Sequence, residues 1–100
     1  MISISTTQAV NEEREALFAI DGEEYTIPVE VPPAMGLEAM ERTRTEGEAG
    51  ATAWIMRELL GVEGWKALRE CKQVNKAQMT AILTVCREKV FGGMEEEGKG

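Results

Sequence analysis

The clearest signal in the chain is an alternation of apolar and polar positions that begins near Glu15 and turns back on itself. In "EALFAIDGEEYTIPVEV", Phe18 and Ile20 alternate with smaller or polar residues, then comes Asp21-Gly22, and Tyr25, Ile27, Val29 and Val31 alternate again. Period-two alternation on both sides of Asp-Gly predicts a β-hairpin with a two-residue turn. That turn pairs Ile20 with Glu23, Phe18 with Tyr25 and Ala16 with Ile27, which gathers Phe18, Ile20, Tyr25, Ile27 and Val29 into one apolar face. Glu24, Thr26 and Glu30 are then left for solvent, and Pro28 falls at a non-hydrogen-bonded pair, as an outer strand allows. A lone hairpin is only marginally stable, so its apolar face must be covered by helices.

The period then changes to that of a helix. Pro32-Pro33 stops the strand and opens a helix with Leu37, Met40 and Arg44 on one side, weakened at Gly36 and Gly47. Thr45 with Glu48 fits a capping box for a second helix, in which Trp54, Met56, Leu59 and Leu60 face inward until Gly61 ends it. "VEGWKALRECK" gives a third short helix through Trp65, Leu68 and Cys71. Asn75 with Gln78 starts a fourth, along which Met79, Ile82, Leu83, Cys86 and Val90 recur at helical spacing until Gly92-Gly93. The reading is an α+β fold, mainly α: an N-terminal β-hairpin packed on three or four short helices. It divides the chain into a flexible N-terminal arm, or a short added strand, at 1–13, a single domain at 14–93 and an acidic, flexible C-terminal tail at 94–100.

Composition agrees with a real core, since 43% of the 100 residues are hydrophobic and 29% charged. The net charge is −7 and the pI about 4.6, with eleven Lys and Arg scattered among eighteen acids. Binding phosphate requires clustered cations, so nucleic acid and anionic membranes are not expected partners. No charged-then-apolar leader and no apolar run near membrane-spanning length is present, so neither secretion nor a membrane span is expected.

Candidate chemistry is sparse. The chain has no histidine, and its two cysteines, Cys71 and Cys86, stand too far apart for the usual zinc spacings. They read as thiols buried in a reducing cytoplasm. Glu95, Glu96 and Glu97, like the hairpin glutamates, read as solvated charge. Gly61, Gly64, Gly92 and Gly93 lack the strand and the Lys-Ser/Thr ending of a phosphate loop, and read instead as helix stops. No enzyme and no cofactor is expected. Trp54, Met56, Trp65 and Met79 have two readings: an adaptable protein-binding surface, if exposed together, or simply core. Met35 and Met40 are open in the same way.

The segments "LFAIDGEEYTIPVEVPPAMGLEAM" and "AWIMRELLGVEGWKAL", with the amphipathic helix after them, resemble the tail assembly chaperones of long-tailed bacteriophages, especially those infecting actinobacteria. The likeness spans residues 15 to 93. It implies a small, non-enzymatic protein of the infected cell's cytoplasm that coats the tape measure protein, helps to recruit tail tube protein and is absent from the finished virion. It also implies programmed frameshifting, in which the ribosome slips back a single nucleotide to make a longer minority product. Glu97-Gly98-Lys99 can be encoded as GAG GGA AAG, which contains a suitable heptamer, G GGA AAG. Affinity per contact should be modest, with avidity or self-association into a homo-oligomer supplying the rest. The alternatives are a structural virion or adaptor protein that self-associates through its hairpin edge, and a small regulator that binds a single globular target.

Overall fold

The computed structural model describes residues 1–5, 7 and 12–98. Two antiparallel strands, β1 (Arg14–Ile20) and β2 (Glu23–Pro28), precede two helices, α1 (Pro33–Glu70) and α2 (Lys76–Gly98). This is the expected α+β, mainly helical architecture.

The turn forms where Asp-Gly directs it. Asp21 at φ 50° and Gly22 at φ 84° are both left-handed, the twist that a two-residue hairpin connection needs. Ile20 pairs with Glu23 and Phe18 with Tyr25, as expected, and the Phe18 and Tyr25 rings stack with centroids 5.2 Å apart. Beyond Phe18 the register departs from strict alternation: Ala16 pairs with Thr26, and Glu15 rather than Ala16 faces Ile27. Leu17 is the extra residue of a β-bulge. Its cause lies in the sequence, because Leu17 and Phe18 are adjacent and a regular strand would send one of them to solvent. The bulge lets both pack against the core.

The helix count is two rather than three or four. Pro32 and Pro33 open α1, and Gly47 (φ 84°, ψ 171°) and Gly61 (φ 77°, ψ 175°) interrupt it in a conformation that is essentially restricted to glycine. The boundaries expected at these glycines therefore appear as sharp breaks, giving segments 33–46, 48–60 and 62–70. Thr45 does not form a capping box with Glu48. It lies inside the first segment, where its hydroxyl donates back to the Glu41 carbonyl at 3.3 Å. Asn75 and Gln78 do form the expected box: the Gln78 N–H donates to Asn75 Oδ1 at 2.8 Å and the Asn75 N–H to Gln78 Oε1 at 3.0 Å. Gly64 and Gly92 are not stops. Gly64 is buried within α1, where an added Cβ would crowd Leu60 of the preceding turn at 3.0 Å and meet Tyr25 of the hairpin at an ordinary 3.8 Å. Gly92 and Gly93 lie inside α2, which continues to Gly98.

The core lies where the three layers meet. Ile27 of β2, Ile55, Leu59, Leu60 and Leu68 of α1, and Ile82, Cys86 and Val90 of α2 form one buried cluster. The last three lie four residues apart along one stripe of α2. Two cations tie the hairpin to the helices. Arg14 donates from Nε to Thr26 Oγ1 at 2.8 Å, and from Nη2 to the Thr26 carbonyl at 2.8 Å and the Leu59 carbonyl at 3.1 Å. Leu59 stands in the last turn before the Gly61 break, where carbonyls lose their intrahelical partners. Lys89 of α2 donates to the Val29 carbonyl at 2.7 Å and pairs with Glu15.

Candidate functional site

The first segment of α1 packs in an unusual sense. Its buried residues are Gly36 and Ala39, one helical turn apart, while Leu37 and Met40 on an adjacent stripe are 62% and 52% exposed. Met35 packs against the core beside Gly36 and Ala39, so of the large apolar side chains in this segment Leu37 and Met40 are the exposed pair. The exposed apolar pair is bordered by charge on both sides. Arg42 bridges Glu38 and Glu46, each at 3.0 Å, and Arg44 pairs with Glu41. The result is an exposed apolar pair in a frame of ion-paired side chains on the outside of the molecule.

The four side chains considered for protein binding take different places. Met56 is only 4% exposed and belongs to the core, so it is no part of an exposed surface. Trp54 is half-buried beneath the Arg42 guanidinium, whose carbon lies 4.8 Å from the ring centroid. This contact closes across the Gly47 break and fastens the first segment of α1 to the second. Trp65 is half-buried with the Arg57 guanidinium 5.8 Å from its ring, and Met79 is half-buried against the core. Met56 thus belongs to the core cluster, and Trp54, Trp65 and Met79 are partly buried against it. Of the hairpin face, Ile27 is fully buried, whereas Phe18, Ile20, Tyr25 and Val29 are partly covered.

The expected frameshift point at Glu97, Gly98 and Lys99 falls on the helix end and tail: Lys99 and the Glu97 side chain lie outside the described residues. Residues 6 and 8–11 of the expected arm also lie outside them.

The sequence puts Leu37 and Met40 on one side of this helix and leaves Met40 open between surface and core, without showing which side faces inward. The signal that bears on it is the Gly36-x-x-Ala39 spacing on the adjacent stripe. Among the described residues, no group of three His, Cys, Asp or Glu side chains is placed to hold a metal ion. No helix among them is long and apolar enough to cross a membrane. Burial pushes the Cys86 thiol up to about 11, which leaves it protonated and a poor nucleophile at neutral pH. Desolvation, then the nearby Glu23 and Glu63 carboxylates, raise the Tyr25 hydroxyl above its ordinary value. Compared with models of protein families, with curated proteins and with solved structures, the chain matches none of them.

Proposed function

We propose that this protein is a non-enzymatic tail assembly chaperone of a long-tailed bacteriophage, which binds the tape measure protein in the cytoplasm of the infected cell and helps to bring tail tube protein to it. The observation that carries the reading, beside the resemblance over residues 15 to 93, is the exposed Leu37 and Met40 stripe within its frame of ion-paired side chains. A chaperone for a long apolar client needs such a surface. Leu and Met side chains adapt to successive helical segments, and surrounding acids keep the unloaded protein soluble. A net charge of −7 serves the same end.

Co-expression with the tape measure protein of the same genome tests this reading. The chaperone should co-purify with its client and keep it soluble, and a Leu37→Glu, Met40→Glu double variant should lose the client while its melting temperature stays within a few degrees, both positions being exposed. Equal capture by the double variant would reject the stripe as the docking surface. The second reading, a structural virion or adaptor protein, is favoured by the open edges of a two-stranded sheet. Mass spectrometry of purified virions separates the two, because a chaperone is absent from the particle and a structural protein is stoichiometric in it. Intact-mass analysis of the gene expressed with its native downstream DNA tests the frameshift: a minor species sharing this N-terminus and longer than 100 residues is expected.

A further inference from the structure

Among the described residues the sheet has two strands, and none of those residues pairs with the outer edge of β1. Ile20 and Glu23 flank the two-residue turn and exchange hydrogen bonds, so Ala19, opposite Glu24, directs its N–H and C=O away from β2. Along this edge runs a groove of about 350 Å³ between Leu17 to Ile20 of β1 and Val74, Ala81 and Ile82 of the α2 side. Gln78 is its remaining lining residue, so no charged side chain lines it. Towards the turn it opens into a wider depression where Asp21 and Glu70 stand.

One segment of the chain has matching chemistry. Residues 1–11, "MISISTTQAVN", form the longest run without a charged side chain in a sequence that is 29% charged. Within it Ile2 and Ile4 alternate with Ser3 and Ser5, the pattern of a strand with one apolar and one polar face. In the structure these isoleucines do not pack on the body of their own chain, Ile2 being 91% and Ile4 84% exposed, and neither of them lines the groove. Side chains two apart on a strand are about 7 Å apart, and the four β1 residues along the groove span about 10 Å, so both isoleucines fit.

We propose that the groove receives the N-terminal segment of a second copy of this chain. Residues 2–5 add as a third strand on the open edge of β1, with Ile2 and Ile4 against Val74, Ala81 and Ile82, and Ser3 and Ser5 facing solvent. A two-fold axis makes the exchange reciprocal, so that both grooves are filled. The charge argues for contact through this pair of surfaces. Two molecules of net charge −7 repel each other, and a groove and an arm that both lack charged side chains can meet without desolvating or opposing their acids. The association therefore strengthens with ionic strength, as screening weakens the repulsion between the bodies.

Sedimentation velocity over a concentration series of the full chain, with two variants beside it, tests the proposal. Ile4→Asp alters the arm alone. Ala81→Glu places a charge in the groove at an exposed helical position, where the fold tolerates it. The expected result is a reversible dimer whose dissociation constant rises about tenfold or more in either variant, with melting temperatures unchanged at low concentration. A monomer at every concentration overturns the proposal. So does a dimer indifferent to both changes, or one that responds to Ile4→Asp and not to Ala81→Glu, which would place the arm elsewhere. Slow hydrogen exchange at the Ala19 amide in a monomeric sample would mean that the chain's own arm closes the edge, and would overturn the second copy as occupant.

Discussion

At the scale of single residues, the two cysteines and Arg14 show how place decides chemistry. Cys86 is completely buried in the stripe of α2 that meets α1, whereas Cys71 ends α1 and is half-exposed, its thiol 3.7 Å from Gln73 Oε1. A maleimide or disulfide reagent at neutral pH should therefore modify Cys71 in the native protein and Cys86 only after unfolding; equal rates would show that the core opens readily. Burial also links Cys86 to alkaline stability. Its thiol titrates near 9.0 in the unfolded chain and near 11 in the folded one, so between these values the folded state holds the proton more tightly. That contribution is complete below pH 9 and is lost as pH rises towards 11. Cys86→Ala should flatten this part of a denaturation-against-pH profile, although the small cavity it leaves lowers stability at every pH. The raised Tyr25 hydroxyl acts in the same direction at the upper end of the range, and Tyr25→Phe separates its share. Arg14 joins both strands to the broken end of a helix through three hydrogen bonds. Arg14→Ala should cost about 1–3 kcal/mol in urea denaturation, because it leaves the part-buried Leu59 carbonyl without this donor. Arg14→Lys should recover little of that, since an ammonium lacks the planar fork.

At the scale of elements, glycine conformation shapes α1 more than side-chain preference does. Gly47 and Gly61 combine positive φ with ψ near 180°, a region costly for any residue with a Cβ, while neither has a neighbour that an added Cβ would strike. Gly47→Ala and Gly61→Ala should each cost about 1–3 kcal/mol from backbone strain alone. Substitution at Gly61 should cost more, since it also disturbs the carbonyl to which Arg14 is bound. Equal stability of both variants with wild type, in the same denaturation assay, would mean that the breaks straighten without loss. These two glycines, the Asp-Gly turn and the Asn75–Gln78 box were legible in the sequence because each is a local rule satisfied locally. The bulge at Leu17, the inward Gly36–Ala39 stripe and the passage of α2 through Gly92-Gly93 were not, because each is decided elsewhere in the molecule. Leu17 has to share the core side of the sheet with Phe18. Gly36 and Ala39 are buried while Leu37 and Met40 are not, a choice of side that helical spacing alone leaves open. A mid-helix glycine costs about 1 kcal/mol relative to alanine, too little to stop a helix unaided. The candidate surface was half legible for the same reason: the spacing puts Leu37 and Met40 together, but only the packing of the neighbouring stripe turns them outward.

At the scale of the whole molecule, the question is whether the hairpin is an appendage or part of one cooperative unit. The chain measures 51 × 30 × 26 Å with a radius of gyration of 14.9 Å, more extended than the roughly 13 Å expected for a compact domain of this length. An elongated body favours independent parts, but the connections argue otherwise. Ile27 sends a fully buried side chain from β2 into the common core, Arg14 binds the carbonyl of Leu59, and Lys89 binds the carbonyl of Val29 from the other helix. A two-stranded sheet has little stability of its own, and loss of Ile27 from the core would leave Ile55, Leu59 and Cys86 facing a void. The hairpin and helices should therefore unfold together. Phe18→Asp tests this, because it places a carboxylate between the Tyr25 ring and the core, where desolvating the charge costs several kcal/mol. Helical circular dichroism should then be lost in the same thermal transition as the near-ultraviolet signal of Tyr25, at a much lower temperature than in wild type. Glu24→Ala, one residue from Tyr25 on an exposed strand position, should change stability by less than about 0.5 kcal/mol. If the Phe18→Asp protein kept its helical signal and melting temperature, the helices would form a domain without the sheet, and the hairpin would be a separate arm carried on it.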